Sequence, residues 1–330
     1  MEDAHSLKTN SFGVYPSKAP LFMKTPIWIK KNISLKKYNT FCLEVKAKYF
    51  AEISSKNKLI KTLQWAKENS LPFFILGNGS NILFVNKEFP GIIIKIKHNK
   101  IKKINQKKII IGAGMMLKDL LKRCIKENWS GLEWISGIPG TIGGAVFGNA
   151  GCFGYDISSF VKKVTVIDLK TYQEKIYSFK DCKFKYRDSV FKKNKEIIWE
   201  VEFLVKEGKR KEIIQKAQEY WDYKSGRNLF KYPSAGSVFK NIFAKEVSIK
   251  YKKGAVIKEG KISVGWFIDR CNLKGKKSGG AMISPYHANV IININKAKGK
   301  NILDLINLCK EKVYQKFKIK LKEEIIVIHY

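Results

Sequence analysis

The loop at residues 77–81 consists of small residues that let a backbone approach an anionic ligand closely. The apolar run at 73–76 enters the loop "GNGSN", and the apolar residues from Ile82 onward predict a second strand. A dinucleotide-binding fingerprint would need glycine in place of Ile82 and a helix after the loop, whereas a Walker loop would need Gly-Lys-Ser/Thr. Neither pattern is present. Two interpretations remain: a tight strand–loop–strand turn, or an anion site made by backbone N–H groups and the Ser80 hydroxyl.

A second stretch, "GLEWISGIPGTIGGAVFGNAGCFG" at residues 131–154, holds eight glycines. This density predicts close backbone approach and several residues with positive φ. Large apolar side chains are interleaved with the glycines and favour burial, which argues against a flexible linker: Leu132, Trp134, Ile135, Ile138, Val146 and Phe147. We interpret the stretch as a cradle for a large, flat cofactor.

Strand and helix patterns alternate around these two loops. Apolar residues at helical spacing predict helices over 57–69, 116–128, 211–226 and 301–317. Residues 161–206 are predicted to be mostly strands, and the last third mixes short strands with one long helix. The fold class is therefore predicted to be α+β.

Five motifs occur in a fixed order: "LGNGSNILF", the glycine-rich stretch at 131–154, "YRDS", "PSAGSVFKN" and "HANVIIN". Together they resemble the UDP-N-acetylenolpyruvoylglucosamine reductase family of bacterial cell-wall flavoenzymes, from about Asn39 to the C-terminus. The resemblance implies a vanillyl-alcohol-oxidase (PCMH-type) FAD-binding domain of two α+β subdomains, plus a separate α+β substrate-binding domain. Weak periodicity and three prolines predict an irregular N-terminal extension (1–34), and the helix over 211–226 divides the rest of the chain near 206. Together with the resemblance, this gives the FAD-binding domain (35–205), the substrate-binding domain (206–318) and a C-terminal segment (319–330) that returns to the active site.

The resemblance also implies which residues bind the cofactor FAD. The pyrophosphate is expected on the first loop, at Gly77, Asn78, Gly79, Ser80 and Asn81. The ribityl chain and flavin ring are expected along the second stretch, at Ser136, Gly137, Ile138, Pro139, Gly140, Thr141, Gly143, Gly144, Ala145, Asn149 and Gly151. NADPH is the expected co-substrate, and UDP-N-acetylglucosamine enolpyruvate the expected substrate.

Reduction of an enolpyruvyl group needs a fixed cation for the developing negative charge, a proton donor and a group that orients them. By resemblance, Arg187 is the cation and Ser237 the proton donor. Without the resemblance, Arg187 could instead be an arginine that pairs with Asp188 on a surface turn, and Ser234 competes locally with Ser237. Lys240 and Asn241 are expected to bind the diphosphate and the sugar of the substrate.

The third catalytic group is expected to be a carboxylate near the C-terminus. "KLKEEIIVIHY" offers Glu323 and Glu324, and Glu324 stands in the register of the family's acid. Glu323 occupies the place of a proline and Lys322 that of another glutamate, so both acids remain candidates at this point. If the segment is a strand, their side chains face opposite sides.

The formal net charge of +36 raises the question of nucleic-acid binding. Only five of the 64 basic residues are arginines, and 59 lysines spread along the whole chain indicate a compositional bias on solvated faces. Arginine is the residue that reads phosphate and guanine edges, so no nucleic-acid partner is expected.

The six scattered cysteines form no C-x-x-C pair, so we expect free thiols and no metal site. No signal peptide or apolar membrane span is recognised, and a cytoplasmic monomer without membrane contact is expected.

The function predicted on these grounds is the NADPH-dependent, FAD-mediated reduction of UDP-N-acetylglucosamine enolpyruvate to UDP-N-acetylmuramate. An alternative is another flavin oxidoreductase of the same fold, such as an oxidase, which would not need the three groups Arg187, Ser237 and Glu324 and would react quickly with oxygen. A nucleic-acid-binding protein is a third alternative, which would bind any duplex in a salt-dependent manner.

Overall fold

The structure is a computed structural model that describes residues 12–13 and 24–330. Most of the predicted irregular extension over 1–34 lies outside the described residues. In the described part of this extension, Ile29–Ser34 form a strand that pairs with Lys46–Ile53. The prediction of an irregular chain was therefore wrong for these residues. The strand reads IKKNIS and has apolar residues only at Ile29 and Ile33, so no alternation of apolar residues marks it in the sequence.

The chain alternates between short strands and six α-helices in its described part. The helices are α1 Lys56–Glu68, α2 Leu117–Glu127, α3 Ile142–Gly148, α4 Arg210–Ser225, α5 Val264–Arg270 and α6 Gly299–Phe317. Strands β1 to β12 are Phe12–Gly13, Ile29–Ser34, Lys46–Ile53, Phe73–Leu76, Ile82–Phe84, Glu88–Ile96, Ile101–Asn105, Lys108–Gly112, Trp129–Ser130, Gly151–Cys152, Tyr155–Asp156 and Val161–Asp168. Strands β13 to β23 are Glu174–Ser178, Glu196–Leu204, Lys206–Glu207, Ser234–Ser237, Ile242–Phe243, Ile257–Lys258, Lys261–Ile262, Lys277–Ser278, Ala281–Ile283, Val290–Asn293 and Ile326–Ile328. Single 3-10 turns span Lys36–Tyr38, Glu133–Ile135, Ile157–Phe160, Val190–Lys192, Ala244–Glu246 and Ile249–Tyr251.

The first sheet, in the order β1-β4-β6-β3-β2, lies between two hydrophobic cores. Its central strands β4, β6 and β3 are parallel. Because successive side chains of a strand face opposite sides, Ile92 and Ile94 of β6 enter one core while Phe89 and Ile93 enter the other.

The second sheet is antiparallel throughout, in the order β13-β12-β14-β8-β7. It shares the first core with α1, α2 and the apolar residues of the 131–154 stretch, including Trp134, Ile142 and Val146. The predicted burial is confirmed for Leu132, Trp134, Ile135 and Val146, whereas Ile138 and Phe147 are half-buried.

The C-terminal third shares the second core with the first sheet. This third contains the antiparallel sheet β16-β22-β21-β20, and the buried stripe of α6 (Ile302, Ile306, Cys309, Val313 and Phe317) contributes to the same core. The predicted apolar stripe of this helix is confirmed. At the end of the chain, β23 returns to pair in parallel with β5, the strand that follows the first glycine loop.

All six cysteines lie in the described part of the chain and are unpaired. Within residues 12–13 and 24–330, no group of three or more His, Cys, Asp or Glu side chains could hold a metal ion. No helix in this part combines the length and the apolar character of a bilayer-spanning segment.

Candidate active site

The first glycine loop connects β4 to β5 as a strand–loop–strand turn, as predicted. Gly79 has φ +66°, and a Cβ at this position would lie 2.0 Å from the backbone oxygen of Tyr38, so only glycine fits. None of the five backbone N–H groups of residues 77–81 donates a hydrogen bond to another described residue. The loop therefore presents a row of free donors, which suits an anionic group.

The two glycine-rich stretches lie against each other. The Asn78 side chain donates to the backbone oxygen of Pro139 at 3.2 Å. A Cβ on Gly77 would lie 2.7 Å from the Thr141 hydroxyl, which itself caps α3 by accepting from the Gly144 N–H at 3.3 Å. The contact brings the predicted pyrophosphate loop and the predicted flavin cradle to one place in the fold.

The exposure of the second stretch divides the predicted cofactor residues into two groups. Side chains packed into the protein are Ser136, Thr141, Ala145 and Asn149. Both polar ends of the Asn149 amide are occupied: the nitrogen donates to Lys185 O at 3.0 Å, and the oxygen accepts from Ser158 N at 3.3 Å. Asn149 thus supports the neighbouring turn, and its contact with FAD stays a prediction. Pro139 and Gly144 are exposed, and Gly137, Ile138, Gly140, Gly143 and Gly151 are half-buried.

The first loop offers free backbone donors and packs closely against the second glycine-rich stretch, which suits a dinucleotide, so the residues present fit FAD. The fit rests on the backbone N–H groups of the first loop. Lys95 adds a cation behind the first loop, where its Nζ donates to Gly77 O at 2.5 Å. Burial lowers the pKa of Lys95, and the nearby Lys97 lowers it further.

Arg187 is held on a tight turn. Lys185 and Asp188 exchange backbone hydrogen bonds of 3.0 Å on either side of it, and Arg187 takes φ 53°. Its Nε donates to Glu324 Oε1 at 2.7 Å, and its Nη2 donates to the backbone oxygen of Gly151. The alternative pairing of Arg187 with Asp188 does not occur.

Glu324 connects three segments of the site. Its carboxylate accepts from Arg187, its backbone N–H donates to Val238 O at 2.8 Å, and its backbone oxygen accepts from the Asn81 side chain at 3.1 Å. Glu323 faces elsewhere and forms an ion pair with Lys310 of α6. The two acids precede strand β23 and do not lie in it, so the strand alternation does not set their orientation. Their side chains nevertheless meet different partners, and Glu324 is the one that meets Arg187.

Ser237 ends β16 directly before Val238, the residue that accepts the Glu324 N–H. Its side chain is exposed, and its hydroxyl has no hydrogen-bond partner among the described residues. Ser234 lies at the other end of the same strand, opposite Ile292. The structure therefore brings Ser237, and not Ser234, next to the segment that carries Glu324.

The two predicted substrate residues follow the same strand. The Lys240 backbone N–H donates to Lys322 O at 2.9 Å, and the Asn241 backbone N–H donates to the Tyr186 hydroxyl at 3.2 Å. The Asn241 side-chain oxygen accepts from Val264 N at 3.2 Å at the start of α5. Asn241 thus lies beside the Arg187 turn.

Sequence reasoning missed two residues of this site. Tyr186 contacts Asn241 and lies beneath the Arg187 guanidinium, 5.1 Å from its ring centroid. Lys192 donates to Arg187 O at 2.6 Å. Tyr186 could have been found from its place in "YRDS", whereas one lysine among 59 carries no signal of its own.

Comparison with known proteins agrees with this geometry. Residues 228–328 match the family described as "UDP-N-acetylenolpyruvoylglucosamine reductase, C-terminal domain", and residues 47–171 match "FAD binding domain". The UDP-N-acetylenolpyruvoylglucosamine reductase of Carboxydothermus hydrogenoformans is 35% identical over 301 residues, which cover 91% of this chain and 94% of that protein. The reductase of the same name from Borreliella burgdorferi is 37% identical over 301 residues, or 90% and 93% of the two chains.

A solved structure has the same fold. The crystal structure of UDP-N-acetylenolpyruvylglucosamine reductase from Thermus caldophilus superposes with a TM-score of 0.71 at 27% identity, over 91% of this chain and 98% of that chain. The predicted family resemblance and the α+β fold class with an FAD-binding domain are therefore confirmed. The chain belongs to the UDP-N-acetylenolpyruvoylglucosamine reductase family.

Proposed function

We propose that this protein catalyses the NADPH-dependent, FAD-mediated reduction of UDP-N-acetylglucosamine enolpyruvate to UDP-N-acetylmuramate in peptidoglycan precursor synthesis. The observation that carries the proposal is the convergence on Glu324. Its side chain bonds Arg187, its backbone bonds the residue after Ser237, and its carbonyl bonds Asn81 of the first glycine loop. One residue thus joins the proposed catalytic cation, the proposed proton donor and the proposed cofactor loop.

When bound, FAD would supply the hydride chemistry between NADPH and the methylene carbon of the enolpyruvyl group. The backbone N–H groups of residues 77–81 would hold its pyrophosphate. The second glycine-rich stretch, at 136–151, would line its ribityl chain and ring. The close packing of Gly77 against Thr141 supports this assignment, because a single ligand could then reach both loops.

Arg187 would stabilise the charge that the reduction creates. Hydride addition to the methylene carbon leaves an electron pair on the adjacent ether carbon, delocalised into the substrate carboxylate. The guanidinium is fixed by its bonds to Glu324 and Gly151, and its remaining N–H groups can bind that carboxylate. Since arginine keeps its proton throughout, it stabilises the charge without transferring a proton.

Ser237 would then protonate the ether carbon, which completes the lactyl group of the product. A hydroxyl is a weak acid, but the enolate-like carbon is basic enough to accept its proton. The exposed side chain of Ser237 can recover a proton from water. Lys240 and Asn241, which follow on the same segment, would bind the diphosphate and the sugar.

Isotope labelling tests the proposed reaction directly. The protein is incubated in deuterated water with NADPH and UDP-N-acetylglucosamine enolpyruvate, and the product is analysed by mass spectrometry and NMR. The expected product carries solvent deuterium at the ether carbon. Deuterium missing from the ether carbon, or no product at all, would contradict the proposal. Rapid oxygen consumption without this substrate would favour a flavin oxidase of the same fold.

We further propose the domain limits 35–205, 206–318 and 319–330 and a cytoplasmic monomer. The return of β23 to β5 supports the last segment as part of the active site. Light scattering coupled to gel filtration tests the monomer, and an apparent mass near twice 37.9 kDa would contradict it.

A further inference from the structure

We propose that Lys192 is a positioning residue for Arg187: its ammonium group holds the backbone oxygen of Arg187 and so keeps the guanidinium turned toward the substrate carboxylate. This inference rests on the proposed function, since it assigns Arg187 the role of catalytic cation. It extends that function by naming the residue that maintains the strained turn. The contact itself is a hydrogen bond of 2.6 Å from Lys192 Nζ to Arg187 O.

Lys192 is rigidly placed for this contact. It is the last residue of the 3-10 turn Val190–Lys192. The residues on either side of Val190, where this turn begins, are both held by contacts. Ser189 is buried and its hydroxyl donates to Phe147 O at 2.7 Å, while buried Phe191 packs edge-on against Tyr177 at 5.3 Å. The lysine side chain therefore reaches the Arg187 turn from a fixed backbone.

The Arg187 turn needs such a support. A residue with a Cβ is disfavoured in the left-handed conformation that Arg187 adopts. The turn is held by the paired backbone bonds of Lys185 and Asp188 and by the Asn149 side chain on Lys185 O. Lys192 supplies the bond on the oxygen of Arg187 itself, and loss of that bond would release the residue whose φ is strained.

The charges around Lys192 make its contact depend on pH. Lys240 from the segment after β16 and Arg187 from the turn are positive, whereas Asp188 from the turn and Glu324 from the C-terminal segment are negative. Burial lowers the pKa of Lys192 to about 8, with Lys240 as the next cause. Lys192 is thus protonated below this pH and becomes neutral as the pH rises through it. The neutral amine makes a weaker hydrogen bond and contributes no positive charge beside the substrate anion.

The pH dependence of catalysis distinguishes this role from a structural one. In the wild type, kcat/KM is expected to fall above about pH 8, because it reports the free enzyme. Lys192→Arg retains the positive charge at alkaline pH. The alkaline limb of its pH profile, the range in which kcat/KM falls, should therefore begin at least one pH unit higher than in the wild type. Lys192→Met should lack this limb and show kcat lowered by roughly 10²-fold at pH 7, the cost of a misplaced catalytic group.

The control is Lys193→Met, which removes the neighbouring exposed lysine and should leave rate and pH profile unchanged. Bound flavin absorbance, measured in each variant, confirms that the fold and cofactor site persist. If wild type is active and its alkaline limb is the same in Lys192→Arg, the role of Lys192 is wrong while the proposed function stands. A wild type without activity on the enolpyruvyl substrate would overturn the proposed function and this inference together.

Discussion

The carboxylate of Glu324 accepts a hydrogen bond from Nε of Arg187 at 2.7 Å, and each side chain is only 20% exposed. The bond joins the C-terminal segment to the turn that follows the second glycine-rich stretch. Because Nη2 of Arg187 is also bound, to Gly151 O, the plane of the guanidinium is fixed at two points. Glu324 thus orients the cation that the proposed reaction needs.

Replacing Glu324 with glutamine should lower kcat by roughly 10²-fold, the cost of a misplaced catalytic group. Glutamine keeps the shape but loses the charge that strengthens the bond to Arg187. The matched control is Glu323→Gln, which removes a carboxylate paired with Lys310 and should change kcat little. Steady-state kinetics give kcat for both variants. A larger loss of kcat in Glu323→Gln than in Glu324→Gln would mean that Glu323, and not Glu324, is the acid that the reaction needs.

Replacing Arg187 with methionine should lower kcat/KM by roughly 10²–10³, the usual cost of losing one group that stabilises developing charge. Lysine should not restore the activity, because it lacks the planar fork that bonds Glu324 and Gly151 together. Arg123→Met is the control, since Arg123 forms a surface pair with Glu127 on α2. Equal activity of the Arg187 and Arg123 variants would contradict the role of Arg187.

Ser237→Ala should separate the two half-reactions. Removing a proton donor is expected to slow turnover by roughly 10²–10⁴, while reduction of the flavin by NADPH proceeds at the wild-type rate. Stopped-flow absorbance measures each half-reaction on its own. The control Ser234→Ala, at the far end of β16, should resemble wild type. Slow flavin reduction in Ser237→Ala would mean that Ser237 acts elsewhere.

Gly79→Ala should abolish retention of FAD, because a Cβ there would lie 2.0 Å from Tyr38 O and force the first glycine loop to move. Gly260→Ala is a matched control: Gly260 has a similar φ of +68°, but a Cβ there meets nothing within 4 Å. The control carries the same backbone strain without the clash. The ratio of flavin to protein after gel filtration gives the result, and full flavin content in Gly79→Ala would contradict the role of the loop.

Much of the fold could be predicted from local pattern. Side chains at helical spacing identified α2, whose Leu117, Leu120, Leu121 and Cys124 are buried. The absence of a third glycine at Ile82 excluded a dinucleotide fingerprint, and Ile82–Phe84 indeed form a strand. These features depend on residues close in sequence, where periodicity and turn chemistry act directly.

The relationships between distant segments could not be predicted in this way. The choice between Glu323 and Glu324 depends on the position of Lys310 on α6 and of Arg187, 137 residues away from Glu324. The first sheet and the C-terminal third share a core because both faces of β6 are apolar. The sequence shows that β6 is apolar, but it does not show which segment packs on which face. Lys192 is recognised only because its Nζ reaches Arg187 O.

In the proposed reaction, electrons from NADPH reach an enolpyruvyl substrate through bound flavin at the Arg187–Glu324 site. The most direct measurement is the visible spectrum of the purified protein without oxygen, first with NADPH and then with UDP-N-acetylglucosamine enolpyruvate. We expect a flavin band that bleaches with NADPH and returns with the substrate. A band that bleaches and then ignores the substrate would contradict the proposed reaction, and absence of flavin after reconstitution with FAD would contradict the cofactor site.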